Sequence, residues 1–531
     1  MRARSACRPA CPHPHAGCPG PPRGWLRVAK AAALGLLAGL AAPAAGHASY
    51  AFYVGRDLTA EGAVLVGGTG EEVSSHWLEI VPAREHPPEA TLEVGVTAEA
   101  RIPGVRMRIP QAPRTFRYLT MNYSDFAGFP PPLTNGGMNE YQVAVRDVWS
   151  PSRKELVART PRPQRGPHYS DLARIALERA RSARQAVEIA GELIDRHGYA
   201  TYGGNSHLFA DPREGWIMIQ LAGGEGLWVA QRLGPDAIRV SYPGYIGEIP
   251  ADYRTHPDFM GSANLVSFAV EQGWYDPEAG EPFDVHRVYG RQGVPMRAPG
   301  VKSVDAATLE AELRAKAPKL TLRDVMALVR DPRIADDEAG TGQVAALRED
   351  LPHPELALLW VAPTGALTAP FLPWRLGVHE VPPEYRQHRY LTRESGSTFL
   401  HPDYQLQEAT RFAGRLFKRL LYYPCARPER FLPEVAEALD AFDARLLPEQ
   451  EDLVEAVAAR LYAAGDARRA RLWLTFHAHQ RAEDALGLGE ALVASLEART
   501  RLLEHGIVKP EGGQINYRGP ATVSCRRPLG P

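Results

Sequence analysis

The residue with the clearest chemical prospect is Ser49, in the stretch "AGHASYAFYVG" (Ala45–Gly55). Signal peptidases favour small residues at −3 and −1. Gly46 and Ala48 meet that requirement for a cut before Ser49, and Ala42 and Ala44 meet it for a cut before Ala45, so both positions remain open. A cut before Ser49 would put a hydroxyl and a free α-amine on one residue. That amine has an intrinsic pKa of about 7.7–8.0, so a substantial fraction is neutral near pH 7. It could take the proton of its own hydroxyl, directly or through a water, and one residue would supply nucleophile and base.

Other clusters carry less chemistry. Cys7, Cys11, His13, His15 and Cys18 mimic a metal set, yet they lie in a Pro/Gly-rich stretch upstream of either cut. "GGTGEE" (Gly67–Glu72) lacks the Gly-Lys-Ser/Thr of a phosphate loop and is read as a β-turn. Neither His-Glu-x-x-His nor Gly-x-Ser-x-Gly occurs, which removes most of the case for zinc peptidases and α/β-hydrolases. His207, single and near a turn, is expected to be structural. No metal or organic cofactor is expected.

Composition sets the class. Over 531 residues the chain is 44% apolar and 23% charged with a formal net charge of −1, the balance of a globular protein without a field for nucleic acid. Arg23, Arg27 and Lys30 precede an uncharged run, Ala31–Ala45, in the order of a secretory signal. That run is too short to serve comfortably as an anchor, so a secreted protein without a stable membrane anchor is expected. Beyond the signal only Cys425 and Cys525 remain. They are compatible with one bridge, and nothing local calls for it.

The elements that must position Ser49 begin at once. "SYAFYVG", "GAVLVGG", "HWLEIVPA", "ATLEVGV", "TFRYLTMNY" and "EYQVAVRDV" have strand character. "YSDLARIALERARSARQAVEIAGELIDRHG" carries a helical stripe broken near Arg181-Ser182, with Ser170 as cap and Gly198 as stop. "GWIMIQLAG", "GLWVAQRL" and "AIRVSYPG" return to strand, "SANLVSFAVEQGWY" to helix and "PELALLWVAPTG" to strand. From about Pro402 the pattern is helical. Strands and helices come in blocks, which predicts an α+β architecture and not a doubly wound parallel sheet.

The stretch from Ser49 to Ala83 resembles the opening of the PepD/secernin-type dipeptidases, N-terminal-nucleophile (Ntn) hydrolases whose mature chains begin with a Cys. Val54-Gly55-Arg56 and Leu58-Thr59-Ala60-Glu61-Gly62 occupy that family's first turn, and counting back puts Ser49 at the nucleophile. "NGGMNEYQVAV" (Asn135–Val145) is similar to its Gly-x-Asn-Glu-x-Gly-Val segment, and the similarity continues in ordered segments to about Leu503. The resemblance implies an αββα sandwich with a mainly helical C-terminal region. It also implies cleavage of dipeptides or small peptides through an acyl-enzyme, with Asn139 holding the oxyanion. On that frame the segments are 1–48 (signal, removed), 49–400 (catalytic domain), 401–510 (helical region packed on it) and 511–531 (tail).

Three departures follow. Ser replaces Cys at the nucleophile. The arginine after the second strand is absent, leaving Glu71 or Glu72 to bind a substrate amine. The polar segment with an Asn after the later strands corresponds to Ser241-Tyr242-Pro243-Gly244, which leaves Asn205 as the nearest substitute for contact with substrate. An acylase for N-acyl or cyclic amides on the same fold and a catalytically inactive peptide-binding homologue are the alternatives. A homo-oligomer is compatible with the sequence.

Overall fold

Runs of β-branched and aromatic residues punctuated by Gly and Pro pair here into antiparallel sheets. In the computed structural model, which describes residues 49–70, 76–123, 128–293, 304–335, 339–386, 411–446 and 449–504, the main strands in chain order are as follows. They are β1 (Ala51–Val54), β2 (Val64–Gly70), β3 (His76–Val81), β4 (Tyr118–Tyr123), β5 (Leu133–Asn139), β6 (Ala144–Trp149) and β7 (Asn205–Ala210). There follow β8 (Gly215–Gln220), β9 (Trp228–Leu233), β10 (Ile238–Ser241), β11 (Phe259–Gly261), β12 (Thr341–Leu347), β13 (Leu358–Ala362) and β14 (Leu372–Arg375). They form a six-stranded sheet ordered β10-β1-β2-β12-β13-β14 and an eight-stranded sheet ordered β11-β9-β8-β7-β6-β5-β4-β3.

Helices α1 (Tyr169–Arg179) and α2 (Ala183–His197) cover the outer face of the eight-stranded sheet, where Leu172, Ile175 and Ala186 share a core with Val145, Phe209 and Trp216. α3 (Ala306–Arg314) packs on β10, and α4 (Leu322–Arg330) on β2 and β12. The layers are therefore αββα, an α+β fold as expected. Leu119, Met121, Ala144, Val148, Leu208 and Ile217 fill the space between the sheets.

Two local expectations are corrected. Gly67–Gly70 is not a turn but the end of strand β2. A side chain at Gly68 would place Cβ 1.8 Å from the Tyr50 carbonyl oxygen, so glycine is required by close backbone approach and not by chain reversal. The cap of α1 is His168, whose ring accepts from the Ser170 and Asp171 amides while the Asp171 side chain answers the His168 amide. Ser170 lies inside the helix, and its hydroxyl instead accepts from the Thr134 amide at 2.8 Å. The break near Ser182 holds, because Ser182 caps α2 through the Gln185 amide.

The C-terminal helices α5 (Ala413–Ala426), α6 (Pro428–Leu446), α7 (Glu449–Ala463) and α8 (Ala467–Glu504) belong to the same compact unit as the sheets. Two buried charge clusters tie them on. Arg375 of β14 and His477 of α8 both meet the Glu451 carboxylate of α7. Arg330 of α4 bonds Asp443 and Asp440 of α6, each at 2.8 Å, and donates to the Ala366 carbonyl at 3.0 Å. The expected signal segment 1–48, Glu71, Glu72, the boundary at 400/401, Cys525 and the tail from 511 lie outside the described residues, as does the side chain of Cys425.

Burial pushes the Asp443 carboxyl up to about 6 despite the attraction of Arg330. A carboxyl raised above its unfolded value holds an extra proton in the folded state, so its favourable contribution is lost as pH rises from about 4 through 6. Arg330→Met removes the attraction and hydrogen bond that oppose this rise, leaving only the Phe371 backbone hydrogen bond to lower it. It is expected to destabilise by about 3–5 kcal/mol near pH 8, where Asp443 must bury an uncompensated charge, and by clearly less near pH 5, where Asp443 is neutral. Chemical denaturation at the two pH values checks this; equal losses would show that the cation acts only by packing.

Candidate active site

In an antiparallel sheet, directly paired residues project from the same face. In the six-stranded sheet Ser241, Ala51, Gly68 and Gln343 form one such row across β10, β1, β2 and β12. The parallel row two residues along contains Arg239 and Tyr53. Arg239 donates to Gln231 of β9 at 3.2 Å, and the Tyr53 ring lies where a Cβ on Gly215 of β8 would be, at 2.7 Å. Both rows therefore face the eight-stranded sheet. Ser49, two residues before Ala51, continues this inward face by alternation, and it is buried.

The residue after Ser49 is held from several sides. The Tyr50 amide donates to Thr69 Oγ1 at 3.2 Å, and the Thr69 amide donates to the Tyr50 carbonyl at 3.1 Å. Arg146, 2% exposed on β6, crosses from the opposite sheet and donates through Nη2 to the Thr69 carbonyl at 2.7 Å. The Tyr50 ring stacks on Tyr242 with centroids 4.5 Å apart. Tyr242 belongs to the segment that follows Ser241, and Gly244 of that segment donates to Ser150 Oγ at 2.9 Å. Ser150 Oγ is in turn 2.8 Å from Ser206 Oγ of β7. The start of β1 is thus fixed by backbone, cation and ring contacts from both sheets.

The row beside it is polar and desolvated. Gln343 and Ser241 are each 1% exposed, and neither the Gln343 amide atoms nor Ser241 Oγ has a hydrogen-bond partner among the described residues. A buried polar group without a partner costs on the order of 1–3 kcal/mol, so its presence calls for an explanation. Gly68 separates Gln343 from Ala51 and contributes no side chain to the row.

The structure does not bring the other expected site residues to this place. Asn139 Nδ2 donates to the carbonyls of Leu177 and Ala180, at 3.0 and 2.7 Å, closing the end of α1. Its Oδ1 accepts from the amides of Tyr141 and Val143, each at 3.0 Å. Both amide hydrogens are spent on the helical layer, so Asn139 is no oxyanion donor here. The reason is parity: its neighbour Met138 faces the inter-sheet core, so Asn139 faces the other way. Asn205 is corrected on the same ground. It opens β7, pairs with Gln220, and accepts from the Tyr202 hydroxyl at 2.7 Å on the face that also carries His207 and Phe209. His207 is structural, as expected. Its Nε2 donates to the Tyr169 carbonyl, and burial lowers its pKa to about 4, leaving it neutral.

Arg146, Ser241 and Gln343 were not singled out as candidates in the sequence, yet the fold brings them to the inward face near the start of β1. The signal for Arg146 and Gln343 was a charged or amide side chain inside an otherwise apolar strand pattern, "AVRDVW" and "TGQVAAL". Arg146 also supplies from β6 a guanidinium beside the start of the chain's first strand, although the expected place after β2 holds none.

Comparison with known proteins places this frame. A family model described as Peptidase family C69 matches residues 54–297, a stretch that starts five residues after Ser49 and includes Arg146 and Ser241. A probable dipeptidase of Salmonella dublin is 36% identical over 118 residues, 22% of this chain and 26% of that protein. The chain thus matches about a quarter of the length of that curated relative.

If Asn139 is a structural cap and not a catalytic donor, Asn139→Ala should act on stability alone. Loss of its four hydrogen bonds is expected to lower the unfolding free energy by about 2–4 kcal/mol, with turnover per folded molecule unchanged. Thermal denaturation and active-fraction kinetics on the same sample check this. A large fall in kcat without a change in stability would return Asn139 to the active site.

Proposed function

With residues 54–297 matching peptidase family C69, we propose that this chain is an exported dipeptidase that works through an N-terminal serine. The observation that carries the reading is the position of Ser49. It lies on the inward face at the head of β1, beside a buried polar row and anchored through Tyr50, Thr69 and Arg146.

The proposed sequence of steps needs only the chain, the substrate and water. Removal of residues 1–48 frees the α-amine of Ser49. The amine takes the hydroxyl proton as Oγ attacks the scissile carbonyl, and the tetrahedral intermediate collapses to an ester on Ser49. The leaving amine carries away the proton that the α-amine held. Water, deprotonated by the same amine, then attacks the ester, releases the acid product and restores the serine. A serine hydroxyl is far less acidic than a thiol, so the step depends on a neutral amine and on a donor for the oxyanion. The charged-then-apolar order of residues 23–45 supports the export part of the reading. The substrate class, dipeptides and small peptides, is supported by the family match and by the printed name of the relative.

Intact-mass measurement of the exported protein should show a chain beginning at Ser49. That species should hydrolyse members of a dipeptide panel, while Ser49→Ala should lose turnover by roughly 10⁴- to 10⁶-fold. Activity should rise with pH along a limb near the α-amine range, about 7.7–8.0. A fully active protein beginning at Ala45 would sink the mechanism, because its amine is four residues away from the hydroxyl.

A further inference from the structure

We propose that the side-chain amide of Gln343 is the donor that holds the scissile carbonyl oxygen as it becomes an oxyanion, an assignment that rests on Ser49 being the nucleophile. A tetrahedral intermediate on Ser49 needs a neutral, fixed N–H within reach of the inward face of β1. Among the described residues the groups that could serve are mostly engaged. Asn139 is turned to α1, Arg146 Nη2 is bound to the Thr69 carbonyl, and the Thr341 hydroxyl is bound to the Ala362 carbonyl at 3.1 Å. Gln343, like the Ser241 hydroxyl, is not so engaged: it shares the inward row with Ala51, is 1% exposed, and makes no hydrogen bond through either amide atom among the described residues.

Its placement suits the task. Neighbouring strands are about 4.7–4.9 Å apart, so β12 lies about 10 Å from β1 across β2. The Gln343 side chain must therefore lean over β2 to meet a carbonyl carried on Ser49. The intervening residue in the row is Gly68, which puts no side chain between Gln343 and Ala51. An amide is also better suited than the flanking Ser241 hydroxyl, because its N–H direction is fixed by a planar group and it cannot surrender its proton to the intermediate. The desolvation of an unpaired amide is then the preorganisation that an oxyanion donor requires: the group is dry and waiting before charge develops.

The test compares the processed wild type with Gln343→Met, which keeps length and volume and removes the donor, and with Ser49→Ala. For Gln343→Met, kcat on dipeptides should fall by about 10²- to 10³-fold with KM little changed. The denaturation midpoint should stay or rise, since an unpaired buried amide has been replaced by an apolar chain. Affinity for a dipeptide aldehyde, which forms a tetrahedral adduct with a nucleophile, should weaken by a similar factor, while a reduced-amide dipeptide should bind as before. An unchanged kcat overturns the inference, and so does a loss of kcat that comes with a lowered midpoint, which marks a structural glutamine. Failure of the parent reading looks different: Ser49→Ala would then keep wild-type turnover. A dead Ser49→Ala beside an unimpaired Gln343→Met overturns the role of Gln343 alone.

Discussion

Alternation of side chains across the pleat is the constraint on which the site depends. Each strand offers every second residue to the layer between the sheets, and the antiparallel register decides which residues of different strands meet there. In the six-stranded sheet one register places Ser241, Ala51, Gly68 and Gln343 in a single inward row. In the eight-stranded sheet the same rule sends Ala144, Arg146 and Val148 inward, and Asn135, Asn139 and Asn205 toward α1 and α2 or their flanking loops. A shift of one residue in either sheet would exchange these sets and remove Arg146 or the Ser241–Gln343 row from the space between the sheets.

A row of desolvated polar groups beside Ser49 is tolerable only in a frame stiff enough to keep them from finding partners elsewhere. That stiffness is local and remote. Locally, Arg146 reaches across the interlayer to the Thr69 carbonyl, and Thr69 exchanges two hydrogen bonds with Tyr50. More remotely, β14 at the far edge of the same sheet carries Arg375, whose guanidinium meets Glu451 under α8. On α4, which packs on β2 and β12, Arg330 is locked to Asp443. These buried ions are weak as sources of net stability, because desolvation offsets most of their attraction. Their effect is directional: each leaves its partner helix one position in which both charges are satisfied.

The fold was legible in the sequence to the extent that it rests on periodicity and capping. The strands around Ala51–Val54 and Trp228–Leu233, the split of the helical stretch at Ser182, and the helical C-terminal region all follow from local pattern. Where a glycine or polar residue answered to a neighbour far along the chain, local reading failed. The glycines of "GGTG" signal a turn on their own, yet Gly68 is dictated by the backbone of Tyr50, at the head of the neighbouring strand. Asn139 fits a motif by its neighbours in sequence, but its face is fixed by the strand's parity and its partners by the end of α1. Gln343 lies nearly three hundred residues after Ser49, and only the pairing of β12 with β2 and of β2 with β1 brings the two onto one face.

On the proposed mechanism, the same topology bears on how a serine, and not a thiol, could serve as nucleophile. A thiol supplies much of its own reactivity through its lower pKa, whereas a serine relies on the groups around it. The base comes with the cut before Ser49, because the freed amine sits on the same residue. The oxyanion donor must come from the surrounding sheet, and it must be neutral: a charged donor in a dry interlayer would itself demand a counter-ion and would hold the ground-state carbonyl as well as the transition state. An amide offers the smaller penalty when empty and a directed N–H when occupied. On that mechanism the polar row and the serine are coupled requirements.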